Sequence, residues 1–500
     1  MLFTVPAGGG FTLGCKVPRA VPGVLIRVAT GSMRIRVLGQ FVPVSIAVLA
    51  LAEAAIAFVA VYAAVCVRFE TPVSHLRLLE REIGLLSPRA VLFSLIVVIC
   101  LLAFGLYSAR QRAQLSGVLV RVVAALLVAS AAVAALFYLL PSLRLWRGVE
   151  ALAILITGCG IVISRLVFVR AVNQDIFKRR VLVYGAGASA GAVASLRRIS
   201  DRRGFQLVGF VQPPDEARTV SPERVLDPQG DLRGLCERMN VTEVVVAMDD
   251  RRRGFPLREL LDCRLVGVEV TELLTFLERE TGRVRIDVLN PSWMIFGPGF
   301  RRDPLRLFSA RMLDLSASLC VLALSWPFML LTVLAIKCED GLNAKVLYKQ
   351  RRVGLGGREF NVLKFRSMRP NAEANGAVWA QRSDPRVTRV GAIIRKLRID
   401  ELPQILNVLR GHMSFIGPRP ERPEFVAELA EKIPYYVQRH YVKPGITGWA
   451  QLCYPYGSSE QDALEKLQYD LYYIKNNSLL FDLAILVQTA EVVLLGKGAR

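Results

Sequence analysis

Histidine is scarce in this 500-residue chain, with only His75, His412 and His440, and no two of them stand at a metal-ligand spacing. The nine cysteines (15, 66, 100, 159, 236, 263, 320, 338, 453) include no Cys-x-x-Cys pair, and four lie in or beside apolar runs. They read as small hydrophobes, which excludes a zinc module or a disulfide framework. Acidic residues are outnumbered, 42 against 64 Lys and Arg, leaving a net charge of +22. No Tyr stands four residues before any Lys, so the Tyr-x-x-x-Lys pair used in hydride chemistry is missing. Residues 1–32 are sprinkled with Gly and Pro and lack the basic-then-apolar order of a signal peptide. We expect them to be an upstream extension, disordered or never made, with Met33-Arg34-Ile35-Arg36 the more natural start and the folded chain beginning after residue 36.

Apolar residues, by contrast, are abundant: 53% of the chain, with a mean hydropathy of +0.39. That is too oily for a soluble protein and predicts a membrane partner. Four long apolar runs, at 41–67, 89–107, 115–141 and 148–169, each approach the ~20 residues needed to cross a ~30 Å hydrocarbon core. Glu53 and Arg121 interrupt the first and third, so each is expected to face a helix partner or the interface. Arg34 and Arg36, Arg110 and Arg112, and Arg170 with Lys178, Arg179 and Arg180 fall on one side of such a bundle. Both ends of the 37–172 segment should therefore be cytoplasmic, although Arg68, Arg77 and Arg81 dilute the asymmetry. The positive charge suits lipid headgroups or phosphorylated substrates. The basic residues adjoin apolar spans and no nucleic-acid motif occurs, so no nucleic acid is expected as a partner.

Residues 174–300 read as a soluble α/β domain. Arg180-Val181-Leu182-Val183-Tyr184 is a buried-strand pattern, and Gly185-Ala186-Gly187-Ala188-Ser189-Ala190-Gly191 then opens a helix, as in dinucleotide-binding folds. A second strand, 206–211, ends in Gln212-Pro213, where an NAD-type site would place an acid for the ribose. A third strand covers 242–248. We expect a Rossmann-like domain of structural or regulatory rather than redox role, its glycines serving the tight turn.

A fifth apolar stretch lies between Asp314 and Lys337, 22 uncharged residues interrupted at the centre by Ser325-Trp326-Pro327. Proline removes one helical hydrogen bond and crowds the preceding turn, so a break is expected there. With charges at both ends, the 313–337 helix is expected to be re-entrant, leaving by the face it entered.

The chemistry concentrates downstream. From Ala344 to Arg410 there are 15 Lys or Arg against 5 Asp or Glu, a net +10. Into this field are set Asp400 and Glu401, followed by Leu402-Pro403-Gln404-Ile405-Leu406-Asn407-Val408-Leu409 and a stop at Gly411. That order places Asp400 near an N-cap and Glu401 in the first turn. Such a pair is most often plain capping, but Arg395, Lys396 and Arg398 precede it and Lys364-Phe365-Arg366-Ser367-Met368-Arg369 forms a second basic cluster. Cations keep a carboxylate ionised and also cradle a diphosphate. One carboxylate can then attack phosphorus while its neighbour holds Mg²⁺.

At these residues the sequence resembles the membrane-bound polyprenyl-phosphate sugar-1-phosphate transferases, the monotopic phosphoglycosyl transferases. The stretches that carry the resemblance are Arg311-Met312-Leu313-Asp314, Tyr348-Lys349-Gln350-Arg351-Arg352-Val353-Gly354, Lys364-Phe365-Arg366-Ser367-Met368, Asp400-Glu401-Leu402-Pro403-Gln404, Gly417-Pro418-Arg419-Pro420 and Lys443-Pro444-Gly445-Ile446-Thr447-Gly448-Trp449-Ala450-Gln451. They cover 305–500, and the upstream spans resemble the large members that start exopolysaccharide assembly. Arg398-Ile399 departs from the Ser-Leu of many members, which bears on donor choice.

The resemblance implies a membrane protein with a four-helix transmembrane bundle, a Rossmann-like α/β domain and a C-terminal monotopic α/β transferase domain with a re-entrant kinked helix. It implies a UDP-sugar donor, a polyprenyl (undecaprenyl) phosphate acceptor, release of UMP and a phosphosugar-aspartyl intermediate. Asp400 and Glu401 would be catalytic, with Glu401 the Mg²⁺ ligand. Lys364, Arg366, Arg395, Arg419 and Gln404 would bind phosphate, and Ser325 and Pro327 would break the helix. The implied setting is the cytoplasmic face of a bacterial inner membrane, with membrane lipid and a second copy of the chain as partners. Asp482 and the apolar 479–494 stretch read as an interfacial helix serving packing. Two other readings are a membrane nucleotide-sugar dehydratase, against which the missing Tyr-x-x-x-Lys speaks, and a non-catalytic scaffold of polysaccharide assembly, against which the intact Asp400-Glu401 speaks.

Overall fold

The computed structural model of the chain describes residues 34–37, 40–70, 72, 85–107, 115–139, 145–173, 178–196, 204–228, 231–252, 254–289, 291–296, 303–369, 386–454, 457 and 459–494. The extension expected at 1–32 lies outside them, as do Arg77, Arg81, Arg110 and Arg112.

A short antiparallel pair, β1 (Arg34–Val37) and β2 (Gln40–Pro43), leads into four apolar helices: α1 (Val44–Phe69), α2 (Ser87–Ala103), α3 (Leu115–Leu139) and α4 (Arg147–Asn173). Three of them are long and apolar enough to cross a membrane; α2, at 17 residues, is shorter than the 89–107 run suggested. Gly105, at φ +67°, stops it: the Gly105 amide donates to Leu102 and the Leu106 amide to Leu101, a left-handed cap that closes the helix before Tyr107. Glu53 faces a partner, as its position inside a span requires. Arg165 of α4 grips it with two bonds, 2.6 and 2.9 Å, and Tyr107 Oη donates to it at 2.6 Å. So enclosed, neither Glu53 nor Arg165 is left as a bare charge among the apolar helices.

The α/β domain holds a four-stranded, all-parallel sheet of β3 (Arg179–Tyr184), β4 (Phe205–Val211), β5 (Glu243–Val246) and β6 (Glu269–Glu272), in the order β4-β3-β5-β6. The central strands β3 and β5 carry apolar runs, Val181–Tyr184 and Val244–Val246, because both faces there are covered, whereas the edge strand β6 carries Glu269 and Glu272. One face packs against α5 (Ala188–Ala194) and α8 (Leu273–Thr281), the other against α6 (Leu232–Arg238) and α7 (Leu257–Leu265). Gly185, at φ +140°, is required where β3 ends: a Cβ there would stand 2.3 Å from the Ala247 carbonyl oxygen.

The glycine turn that follows is already filled by the chain's own acids. Asp249 accepts the amides of Ala188 and Ser189 at 2.8 and 2.7 Å, and Glu216 accepts those of Ala186 and Asp249 at 2.7 and 2.8 Å. This domain is keyed into the C-terminal part by α8 and the segment after it. Glu278 takes Lys475 at 2.7 Å, Trp449 Nε1 donates to the Gly282 carbonyl at 2.9 Å, and Val284 to 289 share a core with residues 416–486.

Then comes α9 (Pro304–Asp340), begun by the Asp303 side chain on the Leu305 amide at 3.0 Å and ended at Gly341. At 37 residues it is about 55 Å long. The helix runs unbroken through Ser325, Trp326 and Pro327, although Pro327 has no amide to give the Ala323 carbonyl. Most of its length is exposed and apolar; only Asp314, Ser318, Thr332 and Ile336 are buried.

The remainder packs round its two ends. A hairpin of β7 (Leu347–Val353) and β8 (Glu359–Phe365) precedes α10 (Arg389–Lys396), a six-residue 3₁₀ turn at Ile399–Gln404 and α11 (Ile405–Leu409). A parallel pair, β9 (Ser414–Ile416) and β10 (Gly445–Thr447), is followed by α12 (Glu460–Asn476) and α13 (Leu479–Leu494), and α13 touches α2 and α3 of the apolar bundle. Asp482 serves packing, accepting from Arg306 and from Tyr473 Oη at 3.0 Å.

Candidate active site

Three elements meet at Asp400 and Glu401. Arg398 enters the 3₁₀ turn at φ +60°, a conformation that strains any non-glycine residue. The turn begins at Ile399, so Asp400 lies within it rather than at its N-cap, and no side chain caps it. Because the chain tightens there, the two acids project into the cations of β8 and of the Gly-Pro-Arg-Pro turn. Pro403 is the fifth residue of this turn, so it has no amide to give the Asp400 carbonyl. Gly411, at φ +83°, ends α11 as expected.

Glu401 is held firmly: Lys364 Nζ reaches its Oε1 at 3.2 Å and Arg419 Nη2 the same atom at 2.7 Å, with Arg398 3.8 Å from Oε2. Arg419, Lys364 and Arg398 together overcome burial and hold its carboxyl below the usual carboxylate range. Asp400 differs. It makes no hydrogen bond to another described residue, and burial, then the charge of Glu401, raise its carboxyl above the usual range, with Lys364, Arg395 and Arg398 opposing. Burial likewise lowers the Lys364 ammonium, against the pull of Glu401. The site thus contains one carboxylate fixed by cations and one more basic carboxylate left open.

Supports for this geometry come from residues that carried no expectation of a role. Asn407, buried on α11, accepts the Leu363 amide at 3.0 Å and donates to the Asn361 carbonyl at 2.7 Å, tying the acid turn to β8. Arg311 of α9 donates to the carbonyls of Val408 and Leu409, both at 2.7 Å, filling orphan acceptors at the end of α11. Asp314, one turn on, accepts from Ser414 Oγ and the Phe415 amide at 2.8 and 2.7 Å. Arg352 of β7 holds the Pro420 carbonyl at 2.9 Å. Gly417 permits the close passage of β10: a Cβ there would lie 2.3 Å from the Lys443 carbonyl oxygen.

Of the expected phosphate ligands, Lys364 and Arg419 converge on the acids and Arg395 acts on Asp400 through its charge. Arg366 does not join them: β8 ends at Phe365, and the Arg366 guanidinium turns to Asp340 at the end of α9. Gln404 is 4% exposed, buried with Pro403 at the end of the turn. Ser325 and Pro327 sit midway along α9, away from the acids in sequence and in packing.

Among known proteins, the profile of the bacterial sugar transferase family matches residues 305–496. The chain is 44% identical over 252 residues to the UDP-N-acetylgalactosamine-undecaprenyl-phosphate N-acetylgalactosaminephosphotransferase of Aeromonas hydrophila, covering 50% of this chain and 58% of that protein. It is 32% identical over 339 residues to the UDP-glucose:undecaprenyl-phosphate glucose-1-phosphate transferase of Xanthomonas campestris pv. campestris, covering 65% and 69%. The protein of the same description from Escherichia coli (strain K12) is 31% identical over 337 residues, covering 65% and 70%. The match thus spans less than two thirds of the Aeromonas protein and slightly more of the other two.

Proposed function

Since the chain belongs to the bacterial sugar transferase family, among the undecaprenyl-phosphate sugar-1-phosphate transferases, we propose that it moves a sugar-1-phosphate from a UDP-sugar to undecaprenyl phosphate and releases UMP. The observation that carries the proposal is the unequal pair: Asp400 open and more basic than usual, beside Glu401 bound by Lys364 and Arg419. In the first half-reaction an Asp400 oxygen attacks the sugar-linked phosphorus. The bond from that phosphorus to the bridging oxygen breaks, and UMP departs with the oxygen and its electron pair. In the second, a phosphate oxygen of undecaprenyl phosphate attacks the same phosphorus, the acyl-phosphate bond breaks, and Asp400 is regenerated as a carboxylate. Lys364, Arg395 and Arg419 offset the charge of the diphosphate while this occurs.

Mg²⁺ fits the donor set. Glu401 Oε1 is occupied by Lys364 and Arg419, whereas its Oε2 has only Arg398 at 3.8 Å among the described residues. A hard divalent ion takes one or two carboxylates and completes its shell with water and substrate phosphates. When bound, it would supply charge neutralisation to the diphosphate oxygens.

In the same reading, α9 enters and leaves by one face through a bend near Pro327 that keeps the helix continuous, without the break expected at Ser325 and Pro327, and residues 337–500 share the cytoplasmic face of a bacterial inner membrane with 174–300. Single cysteines at Lys345 and Arg180 test this, because labelling of the two from opposite faces would refute re-entry. The reaction itself is tested by measuring UMP release with UDP-glucose, UDP-galactose and UDP-N-acetylgalactosamine in the presence of undecaprenyl phosphate. A silent panel would defeat the proposal.

A further inference from the structure

Beneath the Gly-Pro-Arg-Pro turn lies a buried arginine that no step of the proposed transfer uses. Arg439, 6% exposed, belongs to the 3₁₀ turn Tyr436–Tyr441, which Tyr435 enters at φ +63°. Its Nη1 donates to Tyr436 Oη at 2.6 Å. Its Nη2 donates both to Asp470 Oδ2 at 2.9 Å and to the Arg419 carbonyl oxygen at 3.0 Å. Asp470, 2% exposed, comes from the middle of α12. The guanidinium also lies over the Tyr436 ring, 5.1 Å from its centroid.

A buried ion pair is a poor way to fill space, because an apolar side chain of similar volume packs as well without the cost of desolvation. What the pair supplies here is a fixed main-chain point. The carbonyl that Arg439 holds is that of Arg419, whose side chain reaches forward to Glu401 at 2.7 Å and to Gln451 Oε1 at 3.2 Å. Pro418 and Pro420 restrict the backbone on either side, and Arg352 holds the next carbonyl, that of Pro420. With both carbonyls tied, Arg419 retains little freedom beyond its own rotamers. Lysine cannot reproduce the tie, since its single ammonium lacks the planar fork that serves Tyr436, Asp470 and Arg419 at once.

We infer that Arg439, braced by Asp470 and Tyr436, is a positioning residue that aims Arg419 at Glu401 and at the phosphates of the donor. The inference rests on the transfer reaction proposed above. It also joins the α/β domain to the site, because α12 carries both Asp470 and Lys475, the partner of Glu278.

The test is a double-variant cycle on the full-length protein in membranes, read as kcat/KM for UMP release from whichever UDP-sugar it accepts. Arg439→Lys should lower kcat/KM about tenfold or more, as expected for losing bonds to a charged group, while the melting temperature stays close to that of the wild type. Arg419→Lys should cost at least as much, and the double variant should be no worse than the poorer single one, because both act through one contact. Losses that multiply, or an Arg439→Lys protein as fast as the wild type, would overturn the inference. Should Arg439→Lys fail to fold, Tyr436→Phe removes only one hydroxyl. Its smaller loss should vanish in the Arg419→Lys background, and persistence there would overturn the inference equally. A wild-type protein silent with every UDP-sugar would instead overturn the transfer reading itself, and the inference with it.

Discussion

At the glycine turn of the α/β domain, backbone amides meet carboxylates that the chain supplies itself, Asp249 and Glu216. At the 399–404 turn the relation is inverted: Asp400 is a carboxylate that meets no donor among the described residues, although cations surround it. Both turns look suited to phosphate in the sequence, one through its glycines and the other through its basic field. In the first, the amide donors are already taken by the chain's own carboxylates. The second leaves the Asp400 carboxylate without a donor among the described residues, as the proposed attack requires. Proximity of charge alone does not mark a reactive site; an unsatisfied group held in place by satisfied neighbours does.

The largest effect should come from closing that opening. Asp400→Asn should reduce UMP release at least roughly 10³-fold, the scale of removing a nucleophile, with membrane insertion unaltered. A phosphosugar adduct on Asp400, detected by mass spectrometry in the wild type, would accompany this result, and near-normal turnover in Asp400→Asn would remove the basis of the comparison. Next in size, Glu401→Gln should lower the rate on the order of 10²-fold and blunt its dependence on Mg²⁺. Wild-type activity unchanged by EDTA would show the metal role to be mistaken.

The acid limb of the pH–rate profile sharpens the contrast further. In the proposed reaction Asp400 attacks only when deprotonated, and its carboxyl is raised by burial and by Glu401. The rate should therefore fall with decreasing pH at a value above the ~4 of a free aspartate. Glu401→Gln removes one of the raising charges, so the residual activity should hold to lower pH. A limb that stays put, or moves up, would contradict this account. Least affected should be Asp249→Ala. The cost should be about 1 kcal/mol of stability, as for a lost helix cap, seen in thermal unfolding, with UMP release within about twofold of the wild type. Tight NAD binding by the wild-type protein would show that the glycine turn is not closed by its own acids.

How far the sequence disclosed these features depends on how local each one is. Asp400, Glu401 and the stop at Gly411 are contiguous and were legible, as was the need for Glu53 to face a partner. Arg366 stands two residues after Lys364, but β8 ends between them and its guanidinium turns to Asp340 rather than to the acids. Gln404 lies where the 3₁₀ turn passes into α11, and that change of pitch buries it. The acids that fill the glycine turn come from elsewhere, Glu216 four residues beyond Gln212 and Asp249 after β5, which no linear pattern announces. Arg439 and Asp470 are 31 residues apart, and their pairing is a property of the packed domain alone.

The contact of α13 with α2 and α3 sets an order of events. Residues 479–494 leave the ribosome after everything they touch, about 355 residues behind the end of α3. At roughly 5–20 residues per second that interval is about 20–70 s. During it the parts of α2 and α3 that α13 will touch are without that cover. A helix made late in the chain thus covers part of two helices made early.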